Sequence, residues 1–423
     1  MAAFWSRPKG KWGDMLRRVA LSLGMISGNA LAWSGAYEGQ VLVQGAQLDK
    51  PNDPDTYVID KQQAIRASWR EAGLLSFGKQ LKFEYGLYLI GHQLSGQDDF
   101  DHLSLMYSDP RNRTTLLDTY IQRQPRMDIY ATLDRLTLKT QIKQVRVNAG
   151  RFPIEFSKSY IFRPNDIFAP STYNQLDPFH KMGVDALQFS GPIAPLGEWK
   201  ILGVLGYDPV TEAAIDTDGR YIFPVNRLSP DRSSLLFSMM NTISENSLQM
   251  IVGSYRSTLI FMASLEGEFT KTWGYRTEIK QIADSKNFKY EFSSVLGLDY
   301  RWSDQTLLFS EVFLNGAGFP SSDYYDNIEN SPYKPLAQFG RYYVGLGMSS
   351  EITPLLTSRL VAQHNISDNS SFLSLNINYS ITDHFDVSLV GVGAQGKPPV
   401  AGALQSEYGA YPNSLGLQTL LRW

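Results

Sequence analysis

The chain has 423 residues, with 39 basic against 42 acidic side chains, a formal net charge of −3 and no cysteine. That balance gives no broad basic field for nucleic acid, and the missing thiols exclude disulfides, thiolate metal ligands and cysteine nucleophiles. Aromatics make up 13% of the residues and mean hydropathy is −0.24, and beyond residue 32 no run approaches the ~20 apolar residues of a membrane-crossing helix.

Arg17 and Arg18 precede the moderately apolar run VALSLGMISGNALA. Basic residues, a short apolar core and a small-residue end predict a secretory signal over residues 1–32, with Met15 as an alternative start and cleavage before Trp33. Residues 33–423 then read as one all-β unit. Period-two alternation predicts strands near 38–46, 62–73, 77–92, 129–139, 143–151, 183–190, 197–208, 233–242, 247–256, 259–270, 273–283, 290–302, 305–316, 339–350, 356–365, 371–382, 385–394 and 413–423. Leu81, Phe83, Tyr85, Leu87 and Leu89 share one face, opposite Lys82, Glu84 and Gly86; Leu296, Leu298, Tyr300 and Trp302 oppose Gly297, Asp299 and Arg301. About ten residues is the length with which a tilted strand crosses a bilayer.

Alternation alone does not separate a soluble sandwich from a membrane barrel. Connection lengths do. Those after even-numbered strands are all short, whereas most of those after odd-numbered strands are long and rich in Pro, Asn, Asp, Ser or Tyr. A transmembrane antiparallel β-barrel of about 18 strands (16–18) has this pattern, with short turns on one rim and long loops on the other.

Charges on the water-facing parity follow. Glu266, Glu268, Arg276, Glu278, Lys280, Asp299 and Arg301 lie on consecutive strands and are expected to line a pore; the alternative is a polar plug of cross-strand pairs. Residues 152–182 hold Pro153, Pro164, Pro170 and Pro178 together with Phe156, Tyr160, Phe162, Phe168, Tyr173 and Phe179. Restricted backbone and apolar area predict an ordered loop folded into the lumen, bringing Arg163, Asp166, Asp177, His180 and Lys181 to a constriction; a lid over the mouth or a docking surface is the alternative. The five histidines, His92, His102, His180, His364 and His384, have no metal-ligand spacing. No catalytic constellation, metal or cofactor is expected.

The chain ends SLGLQTLLRW, with Leu415, Leu417, Leu421 and Trp423 on one parity, and this strand is expected to pair with 38–46. The whole mature sequence resembles the Gram-negative outer-membrane β-barrel proteins, in which a terminal aromatic residue is the recognition signal for the barrel-insertion machinery; Trp423 matches that position. Within the group, Gly150-Arg151, Pro164-Asn165-Asp166-Ile167-Phe168-Ala169-Pro170 and Gly183-Val184-Asp185 resemble the central segment of porin-like and exopolysaccharide-export-like families, with Phe156-Ser157 in place of the usual Trp-Gly. The resemblance implies location in the outer-membrane bilayer and passive diffusion of small polar or anionic solutes, with a homo-oligomer left open and nucleic acid excluded. A barrel scaffold or export conduit holding a lipoprotein, an electron-carrier protein or polysaccharide or lipid export machinery is the alternative.

Overall fold

The computed structural model describes residues 33–49, 62–78, 80–94, 110–124, 127–168, 181–210, 214–215, 221–222, 225–284, 289–320, 338–398, 404–411 and 413–422. The predicted signal segment with Met15 lies outside them, as do Asp177, His180 and Trp423.

Among the described residues the main sheet is antiparallel and has nineteen strands. Eighteen form its wall: β1 (Trp33–Asp49), β2 (Gln62–Phe77), β3 (Leu81–Leu94), β4 (Met127–Ile142), β5 (Val145–Phe152), β6 (Val184–Ile193), β7 (Gly197–Val204), β8 (Ser234–Ile243), β9 (Asn246–Tyr255), β10 (Thr258–Glu268), β11 (Trp273–Asp284), β12 (Lys289–Ser303), β13 (Thr306–Leu314), β14 (Tyr342–Thr353), β15 (Leu356–Asn365), β16 (Ser370–Thr382), β17 (Phe385–Gln395) and β18 (Asn413–Arg422). The nineteenth, Asp118–Gln124, pairs with β4 above the point where β5 stops. Each wall strand pairs with the next, and β1 also pairs with β18, from Gln40↔Arg422 to Asp49↔Asn413. First and last strands thus close a ring, which leaves no unpaired edge.

All eighteen strands expected from the alternation occur, with their ends moved by a few residues. The rim of short turns holds connections such as 143–144, 244–245 and 304–305, whereas 153–183 and 205–233 lie on the other. Among the described residues, two connections on the long-loop rim are themselves short, at 256–257 and 366–369. In the first, Arg256 and Ser257 have φ of 49° and 65°, the left-handed pair of a tight hairpin whose twist matches the strands.

Along β12, Tyr290, Phe292, Leu296, Leu298 and Trp302 are exposed, while Ser293 and Val295 between them are buried. The apolar face therefore points outward, as lipid requires and a soluble sandwich does not. Tyr290 and Tyr342 mark one rim; Phe269, Trp273 and Trp302 mark the other, where Trp273 and Tyr300 have ring centroids 4.7 Å apart. Tyr290 to Trp302 spans roughly 40 Å along the strand at ~3.3 Å per residue, or roughly 30 Å normal to the bilayer after tilt.

The inner face departs from the uniformly polar lining that the alternation suggests. Leu202, Val204, Leu236, Ile251, Ile260 and Met262 are buried inside the wall, packed with Phe156, Ile167 and Phe168 from the connection between β5 and β6. A second cluster gathers Val295, Phe309, Phe313, Tyr343, Val361 and Phe372 around Ile161 and Phe162 of the same connection. Apolar residues can face the interior because this segment removes them from water, at ~25 cal/mol per Å² buried.

Candidate functional site

Segment 153–168 runs without regular secondary structure across the inner face of β7 to β16. Irregular backbone buried in protein must find partners for its N–H groups. Two inward glutamates supply them. Glu278 on β11 accepts from the Lys158 N–H, from the Ser159 N–H at 2.6 Å and from Ser157 Oγ at 2.9 Å. Glu311 on β13 accepts from the N–H groups of Tyr160, Ile161 and Phe162 at 2.6, 3.0 and 2.9 Å. Asp166 turns the segment back on itself, accepting from the Phe156 and Ser157 N–H groups at 2.8 and 3.1 Å and pairing with Lys181 Nζ at 2.9 Å. Asn165 donates to Ser264 Oγ of β10 at 3.0 Å. The Asn-Asp pair of the sequence motif thus ties the segment to itself and to the wall.

Toward the short-turn rim the segment roofs a cavity of about 650 Å³ lined by Tyr160, Glu245, Glu266, Glu268, Arg276, Asp299, Arg301, Asp304 and Glu351 among others. Five of the residues expected to line a pore meet here: Glu266, Glu268, Arg276, Asp299 and Arg301. The Arg276 guanidinium lies over the Tyr160 ring, 3.5 Å from its centroid, donates to the Lys158 carbonyl at 3.1 Å and pairs with Asp299 at 2.9 Å. Lys158 Nζ pairs with Glu266 at 3.2 Å, and Arg301 with Glu268 at 3.7 Å. Glu245, Asp304 and Glu351 form no ion pair among the described residues.

Other expected residues are placed differently. Glu278 is 0% exposed and Asp166 3%; both are sealed by the segment and face protein rather than water, a correction to their assignment as pore lining. Parity puts a side chain inside the ring but does not say whether a distant segment covers it. Lys280, one step further along β11, pairs with Glu291 at 3.2 Å. Arg163 pairs with Glu155 at 3.1 Å and approaches Asp166 at 4.0 Å.

On the opposite arc of the ring, Arg70, Lys82, Glu84 and Lys139 of β2 to β4 share the face of the buried Ser68, Tyr88 and Ile90, and Lys139 pairs with Glu84. Lys82 and Glu84 stand on the polar parity in the sequence; only ring closure sets them across from the acidic cavity.

The Gly-Arg and Gly-Val-Asp motifs build an anchor at the long-loop end of β4 to β6. Gly150 has φ of 120°, and a Cβ there would collide with the Leu136 carbonyl oxygen, so only glycine fits. Arg151, fully buried, pairs with Asp185 at 2.7 Å and Asp118 at 3.2 Å. Arg113 pairs with Asp118 at 2.9 Å and donates to Thr132 Oγ1 at 2.6 Å. The register shift opposite Gly86 and Leu87 leaves Asp134 without a partner position on β3, and this bulge sets two consecutive charges, Asp134 and Arg135, into one buried ion pair. Burial works against the Arg113 charge, yet Asp118 and its neighbours outweigh it and raise the pKa above the ordinary arginine value. Burial and the adjacent Asp185, which accepts the Tyr207 hydroxyl at 3.1 Å, raise that of Tyr207. Sequence reading missed Asp134 and Arg135, because a bulge leaves no mark on a period-two pattern, and it missed Arg113 and Asp118, which lie outside the eighteen expected strands.

No protein-family model matches the chain, and no curated protein matches it in sequence. In structure it is similar to Acinetobacter baumannii OccAB2, with TM-score 0.56, 8% identity, and coverage of 92% of this chain and 98% of that one. For OccAB3 of the same organism the TM-score is 0.54 at 11% identity, over 92% of this chain and 99% of that one. Closed ring, outward apolar belt and these structural neighbours agree: the chain has the porin-like fold of an outer-membrane β-barrel.

Proposed function

We propose that the protein is a passive channel of the outer membrane for small polar solutes, anions among them, with the short turns toward the periplasm and segment 153–168 as the constriction. The observation that carries this reading is the water-accessible, charge-lined cavity of about 650 Å³ directly beneath a segment that crosses the ring. A ring of eighteen strands encloses more space than its own side chains fill, so what narrows it is the inserted segment. Acidic Glu245, Glu266, Asp304 and Glu351 on one arc face basic Arg70, Lys82 and Lys139 on the other. Such opposed rows create a transverse field that orients dipolar solutes and gives anions a basic wall to follow. Arg163 belongs to the segment's charged surface in this reading, whereas Lys181 holds the buried Asp166, and no catalytic step is involved.

Reconstitution in a planar bilayer tests it. Stepwise conductance is expected, and deleting residues 160–178 should raise it severalfold. A purified barrel that never conducts, and that carries a stoichiometric foreign chain, would instead make it a scaffold.

A further inference from the structure

Residues 404–411, between β17 and β18, turn back into the long-loop mouth. The Tyr408 ring packs on Phe372 with centroids 5.6 Å apart, and its hydroxyl donates to Gln363 Oε1 at 3.0 Å. Beside it Glu407 is 1% exposed. Its carboxyl accepts from the Tyr343 hydroxyl of β14, from Asn365 Nδ2 of β15 at 2.8 Å and from the Phe339 N–H at 3.3 Å. The Glu407 N–H donates to Asp368 Oδ2 in the 366–369 turn at 2.6 Å. The titratable groups facing Glu407 are therefore Tyr343 and Asp368, and among the described residues no lysine or arginine forms an ion pair with it. Hydrogen-bond donors orient this carboxyl, but among the described residues no cation offsets a charge on it, and a second carboxylate stands alongside. Tyr343 also reaches the crossing segment, its ring 5.6 Å from that of Phe162.

We propose that residues 404–411 are a pH-sensitive lid, locked in the mouth while Glu407 carries a proton and released when it ionises, with Tyr343 passing the release to the crossing segment. Burial first, and Asp368 after it, push the Glu407 pKa from the ordinary 4.5 up to about 7. In the released lid the ordinary value returns. The docked form thus binds the extra proton between those two values, and the docked-to-released ratio falls by up to about tenfold per pH unit across that window, staying low above it.

Hydrogen exchange of the full barrel in detergent micelles, corrected for the intrinsic pH dependence of exchange, reads the lid without reference to conduction. Between pH 5 and 8 the protection of amides 404–411 should fall by about two orders of magnitude. Glu407→Gln, which keeps the shape and cannot ionise, should remove the fall; Asp368→Asn should shrink it by lowering the docked-state pKa. Amides of the crossing segment around Phe162 should follow in the parent protein and not in Tyr343→Ala. Protection independent of pH, or an equal fall in Glu407→Gln, would overturn the proposal. If Glu407→Gln does not assemble, an equal fall in the parent and in Asp368→Asn would overturn it as well.

Discussion

The two halves of the lumen are built from the same strands and behave differently. On β11, Arg276 faces the open cavity, while Glu278, two residues along the same face, is sealed under the crossing segment. On β13, likewise, Leu307 lines the cavity and Glu311 is buried. Toward the long loops the interior is a packed core whose charged groups are held by buried ion pairs or by hydrogen-bond donors; toward the short turns it is a wet surface. A buried carboxylate acts as an anchor, because losing its partners leaves an unsatisfied charge, whereas an exposed one contributes a field and little stability.

Breaking the packed half should have the largest effect. Arg151→Ala removes a guanidinium with no exposure and leaves Asp118 and Asp185 facing each other without it. Loss of one partner from a buried network costs about 3–5 kcal/mol, so urea unfolding of the folded barrel should shift to markedly lower denaturant. An unchanged midpoint would mean that water already reaches the cluster.

Replacing both anchors, Glu278→Gln with Glu311→Gln, tests the boundary between the halves. Hydrogen bonds to a charged group contribute about 1.5–3 kcal/mol each, and the pair holds six donors of residues 157–162. The wall should remain closed and heat-modifiable while conductance rises and becomes noisier as the segment loosens. A barrel with parental conductance would show that the aromatic clusters alone fix the segment.

The wet half should give the smallest structural effect and a purely electrostatic one. Glu245→Gln, Asp304→Asn and Glu351→Gln together should leave the unfolding midpoint unchanged and move the reversal potential toward anions. The shift should fade at molar salt, where the screening length drops to about 3 Å. A midpoint shift without a change in selectivity would show that these residues pack rather than line a path.

The sequence by itself determined what is local. Period-two alternation placed all eighteen strands, since a residue's side of a strand depends only on its neighbours along the chain, and the short-long alternation of the connections made the array a barrel, with the apolar face of β12 outward and β1 paired with β18. The aromatic and proline content of 152–182 likewise marked a segment with apolar area to bury. Tertiary structure alone decided which inward charges are wet. Glu278 meets Ser157 across 121 residues and Glu311 meets Tyr160 across 151, and Glu407 finds Tyr343 across 64. The Asp134 bulge exists only once β3 and β4 pair, and the basic arc faces the acidic cavity only once the ring has closed. Burial depends on what covers a residue, and here the cover comes from parts of the chain that no local pattern connects.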